Sequence, residues 1–125
     1  MPPRQGSSAT VELTVSEPDT AIAMLSGSVP VLATPRLIAL FEEAAMAAID
    51  GQLAPTETSV GMRVQIDHLA PTEVGGVVTA EATLDKVEGR RLVFTVSARD
   101  ARGLIGAGKV TRVIVDVDRF LDKLV

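Results

Sequence analysis

Residues 35–50, PRLIALFEEAAMAAID, set Leu37, Ile38, Leu40, Phe41, Ala44, Ala45, Ala47, Ala48 and Ile49 within sixteen positions. This pattern leaves almost no polar side. A helix apolar nearly all round has to be covered by other parts of the chain. Thr34 before Pro35 suits an N-cap followed by proline at the first helical position, and Gly51 suits a C-terminal stop. The expectation is one buried helix over residues 35–50, interrupted mid-way by Glu42 and Glu43.

What covers it must be sheet, because the rest of the chain has a period of two. Val11, Leu13 and Val15 alternate with Thr10, Glu12 and Thr14 ahead of the helix. After it, Val60, Met62, Val64 and Ile66 alternate with Gly61, Arg63, Gln65 and Asp67. Val78, Ala80, Ala82 and Leu84 do the same, as do Leu92, Phe94, Val96 and Ala98. A last strand spans roughly 105–117. Turns fall at 71–76, at Glu88-Gly89 and at 100–103. The order β-α-β-β-β-β predicts four consecutive strands in an antiparallel meander, with a fifth strand beside them. One face of that sheet wraps the long helix, which is the α+β hotdog arrangement.

The 125 residues make one domain, expected over 10–125, with 1–9 as a flexible tail lacking the apolar run of a signal peptide. Hydrophobic residues are 46% of the chain and aromatics 2%, so Val, Leu, Ile and Ala must fill the core. The net charge of −4 offers no basic stripe for nucleic acid, and no apolar run is long enough to span a bilayer. The chain has no cysteine, which excludes disulfides and thiolate metal sites and fits a cytoplasmic setting. One histidine rules out a histidine-rich metal site, so no metal is expected. Residues 103–109, GLIGAGK, match part of a phosphate loop, but Val110 stands where Ser or Thr is needed and strand follows where a helix should open. Gly106 and Gly108 instead suit a bulge or close strand approach.

Few polar residues fall where apolar ones are expected. His68 continues the even-numbered register of Val60 to Ile66, which turns it toward the helix if no bulge intervenes; a plain core histidine fits equally. Asp67 lies on the opposite face, a poor place from which to orient that ring. Glu42 lies eight residues after Thr34, roughly 80° round the helix, whereas Glu43 lies roughly 180° round and suits solvent. A buried carboxylate near a histidine suits a general base. Thr34 caps the helix or works beside its N-terminal N–H groups, which favour a developing oxyanion. Gly61 inside a strand marks a bulge, a packing contact or close approach by a ligand.

The combined spacing of Thr34, Glu42, Gly61 and His68, the last within QIDHLAPT, resembles the fluoroacetyl-CoA thioesterase family of hotdog enzymes. VEGRRLVF at 87–94 and LIGAG at 104–108 share the likeness, which covers 29–120. The resemblance implies hydrolysis of a small acyl-CoA thioester. It implies Thr34, Glu42 and His68 as the catalytic set, Gly61 beside the thioester, and a site at a homodimer interface. CoA enters as part of the substrate, and no separate cofactor is implied. In that setting Glu42 serves as base on water or as nucleophile, Thr34 holds water or attacks, and His68 stabilises the oxyanion or protonates the thiolate. Members selective for fluoroacetyl groups carry phenylalanines before the helix. Residues 21–33 here have none, so the reaction class carries over and that substrate does not. A hydratase would show an Asp-x-Asn-Pro-x-His signature ahead of the helix, and this chain contains no asparagine. A non-catalytic acyl-CoA-binding module remains the other reading.

Overall fold

The computed structural model describes residues 2–125. The strands are β1 (Ser8–Thr14), β2 (Glu57–His68), β3 (Val77–Glu88), β4 (Arg91–Asp100) and β5 (Gly103–Asp116). The helices are α1 (Thr34–Ala48) between β1 and β2, and a short α2 (Val117–Leu121) after β5. All five strands form one antiparallel sheet in the order β1-β3-β4-β5-β2. The expected four-strand meander holds only for β3, β4 and β5. β1 occupies the free edge of β3, from Ser8 opposite Thr83 to Thr14 opposite Val77. β2 therefore crosses the end of the sheet and pairs with β5 instead.

α1 packs on one face of this sheet, mainly over β1 and β3. Leu37, Leu40, Phe41, Ala44, Ala45 and Ala48 meet Val78, Ala80, Ala82 and Leu84 of β3 and Leu92, Phe94, Val96 and Ala98 of β4 in one core. Alanines on both sides let helix and sheet approach closely, and each fully buried Leu or Phe contributes about 1.5–3 kcal/mol. The helix is less enclosed than its composition suggests. Ala39, Glu43, Met46 and Ala47 form an exposed stripe within the protomer. The chain start is also more ordered than a free tail. The Gly6 N–H donates to the Leu84 carbonyl, and the Arg4 N–H to the Gln52 side chain.

Two irregularities set the faces of β2 and β5. The β2–β5 register shifts between Gly61 and Arg63, leaving Met62 as an extra, exposed residue. Beyond it, Val64, Ile66 and His68 face inward, as the alternation predicts. Before it the parity reverses, and Ser59 and Gly61 face the helix instead of Val60 and Met62. The second shift, at Ala98/Arg99, adds Ile105 to β5. Gly106 and Gly108 then pair with His68 and Ile66 at close approach.

Candidate active site

The loop before α1 and the loop after β2 are tied together. The Leu32 N–H donates to the Thr72 carbonyl at 2.8 Å. The Thr72 hydroxyl, fully buried, donates to Asp100 at 2.8 Å. This clip brings the start of α1 against the end of β2. Thr34 Oγ1 and His68 Nδ1 lie 2.8 Å apart in a hydrogen bond. The expected capping role is not seen. Ala33 is the N-cap, Thr34 is the first helical residue, and no side chain caps this end. The threonine hydroxyl is turned to the imidazole instead. Asp67 is exposed on the other face, as its register predicts.

Burial lowers the His68 pKa from the usual 6.5, with the Ala70 backbone opposing. This shift favours the neutral ring, whose Nδ1 accepts from Thr34 when the ring proton sits on Nε2. Nε2 is buried with no hydrogen-bond partner among the described residues. A buried N–H left unpaired is costly, so such an atom marks where an acceptor belongs. Beside the pair, Val29, Val31, Leu69 and Pro71 line a cleft of about 310 Å³ with Thr34 and His68. No phenylalanine is among the described residues that line it.

Glu42 sits elsewhere. Its carboxylate accepts from Arg112 Nη1 at 3.0 Å and lies over Gly61. A Cβ on Gly61 would run into Glu42 Oε2, so the glycine makes room for the carboxylate. Of the three sequence readings of Gly61, the structure shows the bulge beside it and the packing contact, made by the Glu42 side chain. Arg112 on β5, opposite Gly61, is 4% exposed. Its Nε donates to the Ser59 hydroxyl at 2.9 Å and its Nη2 to the Ser59 carbonyl at 2.7 Å. Burial lowers the guanidinium pKa, and the Glu42 charge and hydrogen bond only partly oppose this. Sequence reading missed Ser59 and Arg112. The available signal was a charged residue between Val110 and Ile114, at a position whose parity is otherwise buried.

Thr34–His68 and Glu42–Gly61–Arg112 are two separate groups in one protomer. Eight helical residues advance about 12 Å, and β2 from Gly61 to His68 runs roughly 20 Å. The carboxylate points to the Gly61 end, away from the imidazole. Glu43 is exposed, as expected.

The model of the family described as fluoroacetyl-CoA-specific thioesterase matches residues 15–118. The fluoroacetyl-CoA thioesterase of Streptantibioticus cattleyicolor is 38% identical over 94 residues, 75% of this chain and 68% of that protein. A solved structure of the fluoroacetyl-CoA thioesterase superposes with a TM-score of 0.91 at 32% identity, covering 97% of this chain and 94% of the other. A phenylalanine-to-alanine variant of that enzyme, solved with fluoroacetate and CoA, gives 0.88 at 33% identity over 94% and 98% of the two chains. A thioesterase superfamily member from Thermus thermophilus gives 0.88 at 30% identity over 98% and 93%. Fold and likeness together define a hotdog-fold thioester hydrolase. The chain belongs to the fluoroacetyl-CoA-specific thioesterase family.

Proposed function

We propose that the protein hydrolyses a small acyl-CoA ester in a site shared by two protomers. Thr34 and His68 come from one, and Glu42 and Gly61 from the other. The observation that carries this reading is the 2.8 Å bond between Thr34 and a neutral His68 at the start of α1. A base bonded to a hydroxyl is the arrangement of an activated oxygen nucleophile. Thr34 Oγ attacks the acyl carbonyl carbon while His68 Nδ1 takes its proton. Helix N-terminal N–H groups favour the charge that develops on the carbonyl oxygen. Collapse breaks the carbon–sulfur bond, and the departing thiolate takes the proton from His68. Water then attacks the threonine ester. Glu42 of the partner subunit takes a proton from that water and returns it to the Thr34 oxygen as the acyl–oxygen bond breaks and the acid leaves.

Support for the dimer comes from β2. It is an edge strand of 12 residues, and a long bare edge invites pairing with another chain. A two-fold antiparallel pairing centred between Val64 and Gln65 sets Gly61 of the partner subunit opposite His68. The carboxylate above that glycine then comes toward the unpaired Nε2. CoA enters as part of the substrate, and a cysteine-free chain fits a cytoplasmic setting.

A free-thiol release assay over a panel of acyl-CoA esters tests the reading. His68→Ala and Thr34→Ala are expected to lower kcat/KM by about 100-fold or more, the scale of a lost general base. Glu42→Ala is expected to do the same, and Glu43→Ala to leave turnover unchanged. Full turnover in folded His68→Ala overturns the reading. Binding of CoA esters by the unaltered protein without thiol release would show a binding module instead.

A further inference from the structure

The cleft beside Thr34 and His68 has walls of one chemical character. Apart from that pair, Ser26 has the only polar side chain lining it, and no charged side chain lines it among the described residues. Val29, Val31, Leu32, Leu69 and Pro71 form an apolar wall. Val29 is 53% exposed and Leu69 58%, so part of that wall stays open to water in the protomer. The depression next to it shares Val31, Ala70 and Pro71 but differs in character. Glu73, Asp100 and Arg102 line it, with Arg102 paired to both carboxylates. The pantetheine arm of CoA carries two amides, which would lose hydrogen bonds to water in the apolar cleft. An alkyl chain loses none and covers the open apolar surface. At about 30 Å³ per water, the cleft of about 310 Å³ holds roughly ten waters, more than the heavy atoms of a six-carbon acyl group.

We propose that this cleft selects an uncharged aliphatic acyl group of about four to six carbons, with Val29 as a specificity-determining residue. This rests on the thioesterase reading, with Thr34 attacking the carbonyl carbon where it meets the cleft. A two-carbon acyl group reaches the nucleophile and leaves the apolar wall uncovered. An acyl group ending in a carboxylate puts that charge against the wall with no cation to pair it. Glu42 of the partner subunit, at the reacting centre, adds like-charge repulsion. Val29 lies on the loop before α1 and lines the cleft, and its half-exposed side chain leaves room for a substitution.

Thiol release from acetyl-, butyryl-, hexanoyl- and succinyl-CoA tests this. Each methylene that enters the cleft should raise kcat/KM about fourfold, so hexanoyl-CoA should exceed acetyl-CoA by about tenfold or more. Butyryl and succinyl groups have the same number of carbons and differ only at the far end. Butyryl-CoA should therefore exceed succinyl-CoA by about a hundredfold, the effect of an unpaired carboxylate. Val29→Lys puts a cation on the wall. It should lower turnover of hexanoyl-CoA and bring succinyl-CoA to within about tenfold of butyryl-CoA. Acetyl-CoA turned over as well as hexanoyl-CoA by the parent protein overturns the proposal and leaves the thioesterase reading standing. So does succinyl-CoA within about threefold of butyryl-CoA. A folded Val29→Lys protein with the parental ratio of butyryl to succinyl turnover shows that the acyl group lies outside this cleft, and also overturns it. No thiol release from any ester instead removes the thioesterase reading itself.

Discussion

At the residue scale, His68 is useful because it is neutral. Burial depresses its pKa below 6.5, so the free ring holds its proton only in more acidic solution. Activity that depends on the neutral ring is then present at pH 7 and lost as pH falls through the lowered value. The acid limb of kcat/KM against pH should have its midpoint below 6.5. A midpoint at or above 6.5, absent a second titrating group, contradicts a buried neutral imidazole. The same shift acts on stability. The unfolded chain takes up this proton more readily, so unfolding becomes easier as pH drops below 6.5. Spacing singled out Thr34, Glu42, Gly61 and His68, and the fold sets them in two groups, Thr34 with His68 and Glu42 with Gly61. That grouping was not legible in the sequence. Eight residues on a helix fix an angle, but they do not say that the Glu42 carboxylate turns to Arg112.

At the element scale, alternation located four of the five strands, β-branched residues marked the last, and the apolar stretch located α1 to within about two residues, the usual limit for element ends. Strand neighbours were not legible. Alternation says which residues share a face and nothing about which edge a strand joins, so β2 was expected beside β3 and lies beside β5. The bulge at Met62 was also silent apart from its glycine, and it reverses the parity of Ser59 and Gly61. Gly108 shows how tightly β2 and β5 are joined. A Cβ there would meet the Gln65 carbonyl and approach Ile66 Cα to 2.6 Å, and backbone cannot move aside as a side chain does. Gly108→Ala should cost about 2–3 kcal/mol, the upper part of the range for overpacking, and lower Tm by roughly 10 °C. Thermal unfolding followed by circular dichroism measures this, and a Tm within about 2 °C of the parent would show that the strands have slack.

At the scale of the whole molecule, a protomer carries the parts of a site at two ends of one strand. The exposed stripe of α1, with Met46 45% exposed, and the bare edge of β2 both remain open in the single chain. The proposed symmetric pair through β2 would close the edge and join the parts twice, because a two-fold interface repeats every contact. Each proposed site would then hold the hydroxyl and imidazole of one chain and the carboxylate of the other. Mixing the inactive variants His68→Ala and Glu42→Ala, with subunit exchange verified by mass, tests this most directly. Half of the dimers should be mixed, each with one intact site of two, restoring about one quarter of parental thiol release. Verified mixed dimers with no recovered activity would mean that His68 and Glu42 act within a single chain, against the geometry of the protomer.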